Sequence, residues 1–414
     1  MLEEHLKFIK EAALLNGIED FELQYENGKC LTLMLQHYQN IFSDSEPGGN
    51  YFGIITKFIV KHGNTRLQLV LKKASLNQEA RQKRAILPAF EREYELYNNV
   101  LPELMKFQIA HSVSKKFTAL PKYYNGTNEN EKEAILMEDL NAAGFRLWKR
   151  LEPMDFEHMS LIFQEYAKLH AISLALRHKQ PKAFENLTEN IKLNFLKQRE
   201  VKMPAHYKHM RQVVLEKGAQ AVLGNAKAQR CYNQFQNAYW QYLDEDQENP
   251  ENDILVVSHG DCHPDNILFK YDEITAKPKE LRFIDWQLSS TESPINDISF
   301  VLFTCAGEDV LSRCEELFQI YHGTIEENLT EFGCDSDEVF GYKSFAHLWN
   351  KHFLHGLYRA QVCLKLFLIT PKEIADLGES TSILDILKAD LDAGSLFSQR
   401  MKGLFEIVGN KWLK

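Results

Sequence analysis

Apolar and polar positions alternate through the first part of the chain. Phe21-Glu-Leu-Gln-Tyr25, Tyr51-Phe-Gly-Ile-Ile-Thr-Lys-Phe-Ile-Val60 and Thr65-Arg-Leu-Gln-Leu-Val-Leu-Lys72 read as strands, the last two joined by a His-Gly-Asn turn. Together they predict a small antiparallel sheet. In the third strand Leu67, Leu69 and Leu71 share one face, while Gln68, Val70 and Lys72 share the other. That singles out Lys72 over Lys73 as a lysine on the inner face, where it could reach nucleotide phosphates; the competing reading is a solvated edge lysine. The turn before Tyr51, Glu46-Pro-Gly-Gly-Asn50, offers Gly48 and Gly49, whose backbone amides could approach phosphates. A plain hairpin turn fits the same residues equally well.

The period then changes to that of a helix. Ala89 to Leu101 carries Phe90, Tyr94, Tyr97 and Leu101 on one stripe, and Pro102 is expected to end it. Glu93 flanks the stripe, so it is predicted to face the sheet and pair with the nucleotide lysine, with Glu91 and Glu95 in solvent. Ala134-Ile-Leu-Met-Glu-Asp-Leu140 is an apolar strand broken by acids, read as the crossing between two lobes. There the backbone of Glu138 to Leu140 would read an adenine ring. Beyond it the chain turns helical: Met159 to Arg177 as a core helix, about 183–243 as a helical insert, and further helices from 309 onward. The acidic run 244–253 reads as a solvated loop. These elements predict an α+β protein of two lobes, a small antiparallel-sheet lobe over 1–137 and a larger, mostly helical lobe over 138–414.

Candidate chemistry concentrates in Val257-Ser-His-Gly-Asp-Cys-His-Pro-Asp-Asn-Ile-Leu-Phe269 and Leu281-Arg-Phe-Ile-Asp-Trp-Gln287. A short buried strand, Ile254 to Val257, precedes the loop, and Ile267–Tyr271 and Leu281–Ile284 read as a hairpin after it. Phosphoryl transfer needs one carboxylate to hold and deprotonate a hydroxyl, plus an amide and a second carboxylate to hold the metal that bridges the phosphates. Asp261 fits the first role, and Asn266 and Asp285 the others. An oxygen-rich loop of this kind suits Mg²⁺. The competing reading, a polar turn ahead of a hairpin, explains the first segment alone but not its pairing with Ile284-Asp-Trp. His259 is expected to brace the loop through its imidazole. Cys262 and His263 lack a second pair at zinc spacing. His347, His352 and His355 in the C-terminal helices read as satisfied or exposed side chains.

At 414 residues and 44% hydrophobic, the chain can bury one large or two ordinary cores. A formal net charge of −10 argues against nucleic-acid and anionic-membrane partners. Seven scattered cysteines fit reduced thiols in the cytoplasm. The first fifteen residues read as an amphipathic helix rather than a signal peptide, and no stretch is long and apolar enough to span a bilayer.

Lys72, Glu93, Met137-Glu-Asp-Leu140, His259-Gly-Asp261 to Asn266 and Ile284-Asp-Trp-Gln287 stand in the order of the protein-kinase-like superfamily. His-Gly-Asp resembles its aminoglycoside phosphotransferase and choline kinase branch. Phe90-Glu-Arg-Glu-Tyr-Glu-Leu-Tyr97, Leu169-His-Ala-Ile-Ser173 and Ser293-Pro-Ile-Asn-Asp-Ile298 resemble the ecdysteroid kinase-like family more closely, over about residues 45–370. The resemblance implies ATP as phosphoryl donor, Mg²⁺ on Asn266 and Asp285, Asp261 as catalytic base, and Lys72 paired to Glu93. It implies that Asp297 braces the catalytic loop from a helix start. The implied acceptor is a hydroxylated small molecule, an ecdysteroid or another steroid-like or xenobiotic alcohol. Two positions depart from the family: His263-Pro-Asp-Asn266 is closer to the bacterial phosphotransferases, and Gly53 stands where a Ser is expected. A kinase of a small polar alcohol, as for choline or aminoglycosides, and a non-catalytic nucleotide- or ligand-binding protein are the alternatives. A protein substrate is disfavoured, since the chain has no Asp-Phe-Gly and no Ala-Pro-Glu segment. Phe184, Phe195, Tyr207, Tyr232, Phe235, Tyr239 and Trp240 of the insert either line an apolar acceptor pocket or form the core of the second lobe.

Overall fold

A computed structural model describes residues 2–18, 22–25, 53–76, 81, 86–193, 195–246, 254–368, 383–390 and 394–413. Gly48, Gly49 and Cys30 lie outside them, as does the 247–253 part of the acidic run; Asp244 to Asp246 close a helix instead.

Helix α1 (Leu2–Leu15) precedes a five-stranded antiparallel sheet of β1 (Glu22–Tyr25), β2 (Gly53–His62), β3 (Thr65–Ala74), β4 (Tyr123–Thr127) and β5 (Ala134–Glu138), in the order β1-β2-β3-β5-β4. The two faces are dressed differently. Ile9, Ala12 and Ala13 of α1 pack with Phe58, Val60, Leu69, Leu71 and Leu136 in one apolar cluster. Because successive side chains alternate, Val70 and Lys72 project to the opposite face.

That opposite face meets α2 (Ile86–Glu95), which continues through a π-helical turn (Leu96–Val100) into α3 (Leu101–Ala110). Pro102 therefore does not end the helix. It sits in the first turn of α3, where a missing N–H costs little, and the wide turn before it absorbs the change of register. Glu91 is exposed, whereas Glu95 is only half so.

The second lobe begins with β6 (Arg146–Leu147), which joins the later strands Ile267–Tyr271 and Pro278–Phe283 in a separate small sheet. Its central helix α4 (Phe156–Lys179) starts at Asp155, whose carboxylate accepts the His158 N–H at 3.0 Å. The insert supplies α5 (Pro181–Thr188), α6 (Phe195–Lys202), α7 (Pro204–Ala221) and α8 (Ala226–Asp246). Strand β7 (Val256–Ser258) leads to the candidate loop, followed by the hairpin β8 (Ile267–Tyr271) and β9 (Pro278–Phe283), then β10 (Ser290–Glu292), which pairs back on β7. Helices α9 (Pro294–Cys305), α10 (Glu308–Ser312), α11 (Cys314–Glu331), α12 (Ser336–Phe340), α13 (Tyr342–Leu368), α14 (Ile383–Lys388) and α15 (Leu396–Lys411) complete the lobe.

One large core runs through α4, α8, α9, α11, α13 and α15. Phe184, Tyr232, Phe235 and Tyr239 are buried in it, so these four aromatics of the insert are core rather than pocket lining. No described helix is long and apolar enough to cross a membrane. The six described cysteines are free thiols, all buried.

Candidate active site

Lys72 is where the two lobes meet. Its Nζ donates to Glu93 Oε2 at 2.7 Å and to Asp285 Oδ1 at 2.6 Å, partners 21 and 213 positions away in the chain. The lysine is buried and its ammonium lies 5.8 Å from the Phe90 ring centre. Burial works to lower its pKa, but the charges of Asp285 and Glu93 outweigh it and hold the ammonium protonated, well above its ordinary value. Burial pushes the Glu93 carboxyl upward against the pull of Lys72. An ion pair this deep survives desolvation only because the cation has two anions.

Asp285 ends the β9 arm with φ +68°, a left-handed conformation unusual for a residue with a side chain. Such strain collects at functional sites, where the surrounding structure enforces it. Here the next residues, Trp286 to Leu288, form a 3-10 turn, with Trp286 fully buried. Gln287 Nε2 lies 3.3 Å from Asp285 Oδ2.

The Asp261 loop is held from three sides. Asp297, near the start of α9, accepts the N–H groups of His259 and Gly260, each at 2.9 Å. His170 of α4 meets the same carboxylate at 3.3 Å and Tyr321 of α11 at 2.7 Å. His259 accepts the Asp261 N–H on Nδ1 at 3.2 Å and donates from Nε2 to the Ile284 carbonyl at 3.0 Å. It thus ties the loop to the residue before Asp285. Burial lowers its pKa, which keeps this one tautomer neutral.

Asp261 itself is flanked by a cation that no local pattern announces. Arg359 of α13 places Nη2 3.4 Å from Asp261 Oδ1. Burial raises the Asp261 carboxyl to about 6, with Arg359 opposing the rise and Asp285 adding to it. Asn266 donates its Nδ2 to the Asp261 backbone carbonyl at 2.8 Å, which leaves Oδ1 as the atom that can meet a metal. His263 packs on the Phe367 ring at 4.4 Å, and burial depresses its imidazole to about 4.

The donor set fits Mg²⁺. Asn266 and Asp285 offer oxygen only, and a hard octahedral ion takes one or two such ligands with phosphates and water completing its shell. Among the described residues no cluster of three or more His, Cys, Asp or Glu forms a site for a transition metal. At the lobe crossing, the Glu138 and Asp139 N–H groups donate to the Lys122 and Gln68 carbonyls, and the Leu140 carbonyl accepts from Phe145. A cavity of about 580 Å³ opens elsewhere, among α6, α7 and α8, with Arg211, Leu215, Trp240 and Leu243 on its wall. Among the described insert aromatics only Trp240 lines it, and Asp261 does not.

A family model, the ecdysteroid kinase-like family, matches residues 47–334, well over half of the chain. The chain belongs to the ecdysteroid kinase-like family. Its architecture is α+β, a small antiparallel sheet followed by a larger, mostly helical part. Family membership covers the whole constellation from Lys72 to Asp297 and stops short of α13, so Arg359 lies beyond the matched segment. Among solved structures, an ethanolamine kinase of Plasmodium vivax aligns over 95% of this chain and 84% of its own, at 14% identity and TM-score 0.37. A spectinomycin phosphotransferase in complex with ADP and spectinomycin aligns over 90% and 94%, at 11% identity and TM-score 0.36. An aminoglycoside 2'-phosphotransferase bound to GDP aligns over 93% and 97%, at 10% identity and TM-score 0.39. Likeness at these scores carries no argument about activity. No curated protein matches the sequence.

Proposed function

We propose that this ecdysteroid kinase-like protein is an ATP- and Mg²⁺-dependent kinase of small molecules. It transfers the γ-phosphoryl group to an alcohol hydroxyl, with an ecdysteroid or another steroid-like or xenobiotic metabolite as acceptor. The observation that carries this reading is Lys72 Nζ bonded to both Glu93 and Asp285, which sets the candidate phosphate-binding lysine beside a candidate metal carboxylate. A lysine held charged by burial and two carboxylates, one of them a candidate metal ligand, suits a polyphosphate carrying its own cation.

On this reading the residues divide the work as follows. The first lobe, to about residue 137, would hold the nucleotide, with its adenine edge against Glu138 to Leu140 and Lys72 on its phosphates. Asn266 and Asp285 would hold Mg²⁺, which when bound neutralises charge on the phosphates. Asp261 would accept the proton of the acceptor hydroxyl. As that O–H bond breaks, the acceptor oxygen bonds to the γ-phosphorus, and the bond to the ADP oxygen breaks with its electron pair leaving on ADP. A carboxyl raised to about 6 is still ionised at neutral pH and is a better proton acceptor than an ordinary aspartate. Much of the barrier would fall through positioning, which the Asp297 and His259 bonds supply to the loop.

The direct test is Mg²⁺-dependent ATP consumption by the purified protein against ecdysteroids, phenolic and steroidal alcohols, choline, ethanolamine and an aminoglycoside. Phosphorylated product from a steroid-like or xenobiotic alcohol supports the reading. Turnover confined to choline, ethanolamine or the aminoglycoside would replace the acceptor class. Nucleotide binding with no product from any alcohol would replace the enzyme by a binding protein.

A further inference from the structure

Helix α13 lies beside Asp261 through Arg359, and the way that helix is seated fixes the charge there. Gly356 lets α13 lie directly on α9: a Cβ at that position would stand 2.0 Å from Ser299 Oγ and 2.7 Å from the Phe300 backbone nitrogen. With the two helices that close, the Arg359 guanidinium lies 4.4 Å from the centre of the Phe300 ring, and its Nη2 reaches Asp261. The ring supports a cation on its face while directing the N–H edge outward. Both partners of the pair keep about a fifth of their side chains exposed, 20% for Arg359 and 19% for Asp261, so solvent reaches both. α9 therefore braces the loop through Asp297 and seats the arginine through Phe300.

A second carboxylate near this stretch of α13, Glu292, is already committed. It is buried, accepts from Ser290 Oγ at 2.6 Å and Asn296 Nδ2 at 2.8 Å, and pairs with Lys197 of α6 at 3.3 Å. His355, one turn before Arg359, lies in its field and is kept neutral mainly by burial. Glu292 is therefore not free to receive an ammonium group, and one oxygen of Asp261 is held by Arg359. The chain's overall charge of −10 would draw cations toward the protein, so rejection of them has to be local.

We propose that Arg359 is the specificity-determining residue of the acceptor site. Its guanidinium holds one oxygen of Asp261 and sets a fixed positive charge beside the reacting hydroxyl, so neutral or anionic alcohols enter and alcohols with a neighbouring ammonium are rejected. This rests on the kinase reading above. Two like charges about 6 Å apart at an effective dielectric of about 20 repel by enough for roughly 100-fold discrimination, and the Asp261 carboxylate paired to the guanidinium, with solvent at a partly exposed site, reduces that to about 10-fold or less.

The test compares matched acceptors in the full-length protein: choline against 3,3-dimethylbutan-1-ol, and a hydroxysteroid against the same steroid with an amine on the neighbouring carbon. Wild type should favour the neutral member of each pair by up to about 10-fold in kcat/KM. Arg359→Gln should remove most of that preference, while Arg359→Lys, which keeps the charge, should retain most of it. Mg·ADP affinity, measured by calorimetry, should be the same in all three proteins and shows that each is folded. Preference of wild type for the ammonium members, or an unchanged ratio in Arg359→Gln with ADP binding intact, overturns the assignment alone. Failure of wild type to bind Mg·ADP overturns the kinase reading, and this assignment with it.

Discussion

Asp297 receives the Gly260 N–H at 2.9 Å on a backbone whose φ, +77°, is open to glycine and strained for other residues. The two residues, 37 positions apart, turn the chain so that Asp261 comes out of β7 facing the cleft. A Cβ on Gly260 would stand 2.3 Å from the Leu288 backbone carbonyl oxygen, an atom that cannot swing aside. Gly260→Ala should therefore cost stability by about 1–3 kcal/mol from backbone strain alone. Thermal unfolding of the variant measures it, and an unchanged midpoint would mean that the turn relaxes.

Asp261→Asn keeps the size of the side chain and removes the proton acceptor. Phosphoryl transfer should fall by about 10²- to 10⁴-fold, with ATP affinity nearly unchanged. Single-turnover kinetics together with nucleotide titration separate the two effects. Wild-type turnover in the variant would remove Asp261 from the mechanism.

Lys72→Met leaves Glu93 and Asp285 facing each other across a buried gap. Breaking a buried ion pair by removing one partner costs on the order of 3–5 kcal/mol. Turnover should fall at least 10²-fold, as when a preorganised phosphate contact is lost. Denaturant titration checks the first figure and kcat the second. Retained stability would show that Glu93 takes up a proton at no cost.

The pH profile has a defined acid limb. Asp261 must be ionised to accept a proton, and burial raises its carboxyl to about 6. In the free enzyme, kcat/KM should hold above that value and fall about tenfold per pH unit below it. An ordinary aspartate would place the limb near pH 4. A limb at that lower value would mean that Arg359 outweighs the burial.

Much of the site was legible because its parts are local. The alternation of β3 put Lys72 on the face away from the leucines, and the helical stripe of α2 put Glu93 toward the sheet; the structure joins them at 2.7 Å. The loop with Asp261 and Asn266, and the arm that delivers Asp285, lie in two short segments whose residue types state their chemistry. Pro102 was misread because a proline reports a broken hydrogen bond, and the chain takes that break into a π-helical turn rather than a stop. The insert aromatics were ambiguous because apolar area looks the same whether it lines a pocket or fills a core.

The sequence by itself therefore determined the two kinds of element, the order of the lobes and the facing of Lys72 and Glu93, since periodicity and turn chemistry act over a few residues. Only tertiary structure decided that Lys72 bonds Asp285 as well as Glu93, that the Asp297 brace acts on the Gly260 N–H, and that Arg359 stands at Asp261. These pairs are separated by 213, 37 and 98 positions, and what joins them is the packing of whole helices, down to the contact that Gly356 permits with Ser299. No local pattern encodes a contact of that kind, because it depends on how far apart two helix backbones come to rest.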